Sequence, residues 1–182
     1  MKQDDVVTSG AGGEARLWNT TTGQLAVRPF LHDSWVRVVA FGPSELILTA
    51  SHDGKACLWD IGRDGRLVAC VKHERWISAA AFSPDGESFV TGSLDWTARR
   101  WDLNGKELNL LRHQDAVRAI AFRRARKTII AHGTGRKGPA VEYGESRGGV
   151  ASGSRSQTVR PGEYRSSFAL SPGSSSSARI TR

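Results

Sequence analysis

The chain lacks most of the features that would assign a chemistry directly. None of its apolar runs is long enough to span a bilayer, and the N-terminal MKQDDVVTSG has no apolar segment of a signal peptide. It has no Gly-rich phosphate loop after a strand, no HExxH motif, no nucleophile elbow and no Cys/His spacing of a metal site. These absences predict a cytoplasmic protein that is not an enzyme, holds no cofactor or metal and has no membrane partner.

Cysteine is also scarce. Cys57 and Cys70 are the only two among 182 residues, and they do not form a CxxC pair. They fall in neighbouring predicted strands, so a bridge between them is one alternative. Two small buried thiols in a reducing compartment are the interpretation that we prefer.

The net charge of +8 is distributed unevenly along the chain. Residues 1–122 carry 14 Lys and Arg against 15 Asp and Glu, a net charge of −1, whereas residues 123–182 carry 12 against 3, a net charge of +9. The first part therefore gives no electrostatic argument for nucleic-acid binding. The last 60 residues also hold 11 Ser and 9 Gly, a composition that predicts a disordered tail.

The first 122 residues contain an internal repeat. Three sets of residues recur at steps of 40 to 42 positions: Trp18, Trp59 and Trp101; Phe41, Phe82 and Phe122; His32, His73 and His113. Apolar and polar residues alternate between these marks, and two of the copies end in Trp-Asp. A period of about 40–45 residues with four short strands is typical of a propeller blade.

These residues resemble the WD-repeat (WD40) family over roughly residues 5–122. The resemblance implies an all-β fold, an incomplete β-propeller in which antiparallel four-stranded blades form an open arc. Two complete units run from His32 to about Val71 and from His73 to Leu111, between two partial ones. We assign residues 1–133 to the partial array and residues 134–182 to the basic, Ser/Gly/Arg-rich tail.

Turn residues divide the units into strands. Asp53-Gly54, Asp64-Gly65 and Asn104-Gly105 are hairpin signals between apolar runs, and Ser83–Gly86 is a Pro-containing turn. The first unit opens in mid-blade: it predicts strands near residues 6–8, 15–19 and 25–27 and lacks the first strand of a blade. A short strand near residues 128–131 is the last that the pattern predicts.

The resemblance also assigns roles to the repeated polar residues. In the family, a His before the first strand, a Thr or Ser in the second, an Asp in the next turn and a Trp in the third form a hydrogen-bonded set. These roles fall on two sets of four residues, His32, Thr49, Asp53 and Trp59, and His73, Thr91, Asp95 and Trp101. A His, an Asp and a hydroxyl also suggest a catalytic triad, but a triad does not recur in every blade, so we prefer the structural role. The other histidines, His52 and His132, are interpreted as isolated loop residues.

Three further tryptophans are candidates for partner binding. Trp35 and Trp76 stand just before the first strand of successive blades, and Trp96 replaces the usual small turn residue after Asp95. The resemblance places their loops on the face of the disc that most often binds partners, and exposed aromatic rings are typical interface hot spots. The alternative is that Trp35 and Trp76 pack on neighbouring blades.

The tail allows three interpretations: a basic arm for nucleic acid, a solvated tail, or a frameshifted continuation of the repeats. Codons chosen for residues 136–144 and shifted by one nucleotide encode Gly-Arg-Ala-Arg-Leu-Trp-Asn-Thr, which differs at one place from GEARLWNT at 13–20. The recovered Trp falls at 141–142, close to the position that the repeat predicts. We prefer the frameshift hypothesis.

The sequence therefore predicts a non-catalytic scaffold for protein–protein interaction, a fragment of a larger repeat protein whose partner is unknown. Non-specific nucleic-acid binding through the basic tail is one alternative, and a truncated product without independent function is another. Open blade edges predict self-association.

Overall fold

The computed structural model describes residues 5–123, 128–133, 141–143 and 177–178. They form four antiparallel sheets, and their one helical element is a 3-10 turn at Ile61–Arg63. The predicted all-β architecture of four-stranded sheets is confirmed. Among the described residues no helix is long and apolar enough to cross a bilayer.

The first sheet contains β1 (Asp5–Ser9), β2 (Glu14–Asn19) and β3 (Phe30–Leu31), with β15 (Ser177–Ala178) on the other side of β1. The second contains β4 (Val36–Phe41), β5 (Leu46–Ser51), β6 (Lys55–Asp60) and β7 (Arg66–Lys72). The third contains β8 (Ile77–Phe82), β9 (Ser88–Ser93), β10 (Thr97–Asp102) and β11 (Glu107–Arg112). The fourth contains β12 (Val117–Arg123), β13 (Thr128–Gly133) and β14 (Val141–Tyr143).

The core lies between successive sheets, which pack in chain order. Phe30 and Leu17 of the first sheet meet Ile47 of the second, and Leu58 of the second lies in one cluster with Phe89 of the third. Val117 of the fourth sheet closes a smaller cluster on the third. Each sheet thus covers one apolar face of its neighbour, as in a repeat array in which a unit contacts only the next.

The second strand of each complete unit is buried along its whole length. Every residue of β5, LILTAS, and of β9, SFVTGS, is buried. A strand with neighbours on both edges and a sheet on both faces exposes neither face to water, so its residues are apolar or carry a small hydroxyl, as Thr49 and Thr91 do. At Gly92 in β9, an added Cβ would lie 2.6 Å from Val117 of the fourth sheet, so glycine allows the close approach of these two sheets.

The last strand of the first sheet differs from the predicted one. The outermost strand of the first sheet lies at Phe30–Leu31, and the predicted segment near 25–27 contributes only an isolated bridge from Leu25 to Trp18. Pro29 has no N–H to donate, and pairing resumes where Phe30 is buried against Trp59, with ring centroids 5.1 Å apart.

The tail contributes more regular structure than its composition predicts. The predicted short strand is present as β13, but β14 follows it, and β15 pairs with β1 in the register Val7 to Ala178 and Thr8 to Ser177. That position is the place of the first strand that this blade lacks in sequence. The rest of the tail lies outside the described residues, and the frameshift hypothesis stays a prediction about the gene.

Candidate functional site

A chain of hydrogen bonds ties the second sheet together at one end. The indole Nε1–H of Trp59 donates to Thr49 Oγ1 over 2.8 Å, and that hydroxyl lies 2.7 Å from His32 Nε2. His32 Nδ1 is 3.0 Å from Asp53 Oδ2. Because an indole only donates and a carboxylate only accepts, the direction runs from Trp through the Thr hydroxyl and the imidazole to Asp.

The third sheet repeats this arrangement with the same distances to within 0.2 Å. Trp101 Nε1 donates to Thr91 Oγ1 over 2.8 Å, Thr91 Oγ1 lies 2.7 Å from His73 Nε2, and His73 Nδ1 lies 2.8 Å from Asp95 Oδ2. We call these two sets the fasteners. They join the second and third strands of a sheet to the loop that enters it, and we find them in the sheets of the two complete units.

Each aspartate also organises the turn in which it lies. Asp53 accepts from the backbone N–H groups of Asp33 and Lys55, at 3.0 and 2.7 Å. Asp95 accepts from the N–H and hydroxyl of Thr97, at 2.9 and 2.6 Å. Burial tends to raise the pKa of both carboxyls, but these hydrogen bonds and the facing histidine hold each pKa below its ordinary value.

The histidine of the third sheet is neutral at physiological pH. Burial lowers the pKa of His73 below its ordinary value, although the facing Asp95 acts in the opposite direction. The imidazole then carries its proton on Nδ1, towards Asp95, and leaves Nε2 free to accept from Thr91.

The partial units keep only part of the fastener. In the first sheet Trp18 Nε1 donates to Thr8 Oγ1 over 2.8 Å, but Gly12 stands where the later units have the aspartate. In the fourth, His113 is the repeated histidine, and its Nε2 is buried without a partner among the described residues. Ala131, in the register position that Thr91 takes in the third sheet, offers no hydroxyl.

The fasteners have no opening for a substrate. The side chains of both histidines are fully buried, and those of Asp53 and Asp95 are exposed by only 5% and 7%. Thr49 and Thr91 are likewise inaccessible. A nucleophile needs a path to its substrate, and the burial of both hydroxyls leaves none.

The exposed aromatic residues lie on the face formed by the entry loops and the turns between second and third strands. Trp35 and Trp76 are exposed by 57% and 53%, and His52 lies between them. The imidazole is stacked on Trp35 with centroids 5.7 Å apart and planes 15° apart, and on Trp76 at 4.4 Å and 6°. We call these three residues the ring stack.

The ring stack corrects the prediction for His52 and bears on the alternative that Trp35 and Trp76 pack on neighbouring blades. His52 is not an isolated loop residue: its backbone N–H donates to the carbonyl of Trp35 over 2.9 Å, and its ring connects the loops that enter two successive sheets. In the next unit Leu94 makes the same backbone bond to Trp76, also 2.9 Å long. The tryptophans thus pack against a neighbour and stay more than half exposed. Comparing the units would have pointed to His52, because it replaces the apolar residue at that position.

Trp96 lies apart from the ring stack. No ring contact joins it to the other described aromatic residues, and it is exposed by 55%. Its φ of 69° is in the left-handed region, where the equivalent residue of the second sheet is Gly54, with φ of 82°. A bulky residue there is strained, and such strain is found most often at functional positions.

The bond between Cys57 and Cys70 is a second correction. The two residues face each other in the register of β6 and β7, with Cα atoms 4.2 Å apart, and their sulfurs are bonded. The preferred interpretation as free buried thiols was wrong, because Cys70 lies exposed on the outermost strand and directly opposite Cys57.

The comparisons agree with this geometry. The family model described as "WD domain, G-beta repeat" matches residues 27–60 and 65–102. A search of curated proteins finds no match. Each matched segment contains one complete fastener, and the two lie at the predicted phase. Residues 27–60 and 65–102 are therefore two repeats of the WD-repeat family, and together they form a partial repeat array.

Proposed function

We propose that this chain is a non-catalytic scaffold that binds a protein partner through the ring stack. WD40 repeats form modules for protein–protein interaction. The observation that supports a site on this face is the exposure of two large indole rings held in a fixed orientation by His52. Rigid aromatic rings give up little conformational entropy on binding and are over-represented among interface hot spots.

The outer strands expose apolar residues too, but these do not form an equivalent site. Leu67 and Val68 are exposed by 47% and 46%, singly and on the outermost strand of the second sheet. Scattered surface leucines and valines are normal in folded proteins. They therefore serve as control positions.

A peptide selection tests this proposal and requires no identified partner. Random peptides displayed on phage are selected on the immobilised full chain, and the recovered peptides are measured against variants. Trp35→Ala with Trp76→Ala should weaken their binding at least tenfold, whereas Leu67→Ala should leave it unchanged. If the recovered peptides bind both variants equally, this face is not the interaction site.

That the array is a fragment of a larger repeat protein is a part of the same proposal. The shifted codons of residues 136–144 that match residues 13–20 support it. The nucleotide sequence of the gene tests it: the shifted frame should encode further repeats at the same period. A stop codon soon after the tail in that frame would contradict the proposal.

A further inference from the structure

The first strand of each later sheet begins with the same irregularity. Between the first and third residues of β4, β8 and β12 the register shifts by one, which leaves Arg37, Ser78 and Arg118 as the extra residues of three β-bulges. A bulge bends the strand and redirects the side chain of its extra residue, and bulges are frequent next to functional sites. The period of the repeat thus places two arginines and a serine in equivalent redirected positions.

Arg37 lies beside the ring stack. It is exposed, and its positive charge, after burial, is the second cause that lowers the pKa of His52. The imidazole is therefore neutral at physiological pH, and Arg37 is the cation next to the stacked rings.

Three carboxylates of this face are already engaged, whereas several of its cations are not. Asp53 and Asp95 belong to the fasteners, and Asp33 pairs with Lys55 over 2.6 Å. Within the part of the chain that the structure describes, no ion pair or side-chain hydrogen bond joins Arg37, Arg75 or Arg118 to a carboxylate. Glu74, in an entry loop, likewise has no ion pair with a cation among these residues. Among the described residues, three arginines against one glutamate leave the net unpaired charge on this face positive.

This charge decides which partner the rings can accept. The face of an indole attracts cations as well as rings, but an incoming cation next to His52 would meet Arg37. A carboxylate is attracted there, and Arg binds it through two parallel hydrogen bonds. The open faces of Trp35 and Trp76 accept a flat apolar group such as a proline or phenyl ring.

We propose that the ring stack and Arg37 together bind an acidic peptide segment, with a partner carboxylate on Arg37 and a neighbouring Pro or aromatic side chain on an exposed indole. This inference rests on the proposed function and specifies the partner's chemistry. Arg118, in the equivalent bulge two sheets further on, extends the positive field along the inner strands for a second acidic residue.

Two unlabelled hexapeptides of matched shape test the charge preference, Glu-Glu-Pro-Phe-Glu-Glu and Lys-Lys-Pro-Phe-Lys-Lys. They are titrated into the full chain labelled with ¹⁵N, and the indole N–H resonances of Trp35 and Trp76 are followed. The acidic peptide should shift both resonances and bind at least tenfold more tightly than the basic one. Raising the salt concentration should weaken it, because the contact with Arg37 is exposed.

Matched variants separate this inference from the proposed function. Arg37→Glu should lower affinity for the acidic peptide at least tenfold, whereas Arg66→Glu, on the outermost strand β7, should change it less than twofold. If Arg37→Glu binds both peptides as the unaltered chain does, the acidic preference is wrong. The proposed function then survives only if peptides from the phage selection still depend on Trp35 and Trp76.

A third titration addresses the competing ligand class. Stacked rings beside arginines also suit single-stranded nucleic acid, and a six-nucleotide oligo(dT) is the probe. Binding that exceeds that of the acidic peptide and is lost in the Trp35→Ala, Trp76→Ala variant would overturn the peptide assignment. The assignment is also overturned if neither peptide shifts the indole resonance of Trp35 or of Trp76.

Discussion

At the scale of single residues, the fasteners show how a few polar groups can be buried without a net cost. Both ring nitrogens of His73 have a partner, and the hydroxyl of Thr91 links the imidazole to Trp101. A satisfied buried hydrogen bond contributes a net of about 0.5–1.5 kcal/mol, whereas an orphaned donor or acceptor costs about 1–3 kcal/mol. Removal of one member therefore costs more than its own bond.

Asp95→Ala should lower the free energy of unfolding by about 1–3 kcal/mol. The change leaves the Nδ1–H of His73 without its carboxylate and frees the backbone N–H of Thr97 from its bond. Urea denaturation measures the loss. Asp33→Ala, whose ion pair with Lys55 is exposed, is the control and should stay within about 0.5 kcal/mol of the unaltered chain. If Asp95→Ala leaves the free energy of unfolding unchanged, the structural role assigned to the fastener is wrong.

Trp96→Gly should increase stability by about 0.5–1 kcal/mol. The residue holds a φ of 69° that glycine adopts without steric cost, and its exposed ring gives up little burial on removal. The midpoint of thermal unfolding measures the effect. Trp76→Gly, at a position without positive φ, should lower the midpoint, and an equal drop for both variants would show that Trp96 is not strained.

Acidification should lower stability steadily from neutral pH. Burial lowers the pKa of His73 and His113, so below about pH 6.5 the unfolded chain binds protons that the folded chain does not. Asp53 and Asp95 have a lowered pKa, and their contribution is present above about pH 3.9 and lost as the pH falls through their folded values. Both effects have the same sign.

Urea denaturation at pH 7, 6, 5 and 4 measures this dependence. His113→Phe removes one titrating ring together with its unpaired Nε2, so its stability should fall less between pH 7 and 5. A stability that stays constant or rises down to pH 5 would mean that these histidines are not held neutral in the fold.

At the scale of strands, the disulfide joins β6 to β7, the paired third and fourth strands of the second sheet. Reduction should leave the sheet intact and lower the free energy of unfolding by up to about 3 kcal/mol, because the closed loop is short. Thiol titration of the native chain without reductant should find no free thiol. The Cys57→Ala, Cys70→Ala variant should be insensitive to reductant, and two reactive thiols in the native chain would contradict the bond.

The thiol state also bears on cytoplasmic location, which stays a proposal. A reducing compartment would keep these thiols separate unless the bond resists the glutathione pool. Measurement of the thiol state in chain recovered from cells under acid quench distinguishes the two conditions.

Strands of the complete units were predictable because period and turn chemistry agree. Asp64-Gly65 and Asn104-Gly105 are turns with a positive φ at the glycine, as their sequence predicts. Local pattern could not locate β3, because Phe30 is placed by packing on Trp59 of another sheet. Local pattern could not find β15 either, because pairing at a sheet edge uses backbone hydrogen bonds and requires no particular side chains.

The ring stack was only half predictable for a related reason. Trp35 and Trp76 stand out as large exposed residues at repeated positions, but their common partner lies between them in space and not in sequence. A single histidine carries no signal of its own, and only a comparison of the units singles out His52 as a replacement for an apolar residue. The bulges of Arg37 and Arg118 were missed because a one-residue shift in register depends on pairing, which the alternation pattern does not record.

At the scale of the whole molecule, the array ends in sheets that lack full cover. The first sheet has only Ser177–Ala178 beside β1, and the fourth has three strands among the described residues. Unpaired edges and apolar faces of terminal repeats promote association. We therefore expect purified protein to self-associate, or to unfold in a broad transition of low cooperativity.

Light scattering behind size-exclusion chromatography and calorimetry measure these properties. Restoring the shifted frame after Phe122, with the downstream repeats included, should recover a monodisperse species and a sharp transition. A monodisperse monomer with a sharp two-state transition in the present chain would contradict the expectation.

The boundaries of a family repeat do not coincide with those of a sheet, and this offset affects how the number of repeats in such an array can change. The matched segment 65–102 begins with the outermost strand of the second sheet and ends with β10 of the third. If recombination removes that segment, β6 is followed directly by β11, an outermost strand of the same kind, and the second sheet is complete again. If recombination duplicates it, one whole sheet is added in the same way. Unequal crossing-over between repeats therefore alters the array by entire sheets, and each product inherits interfaces that already exist.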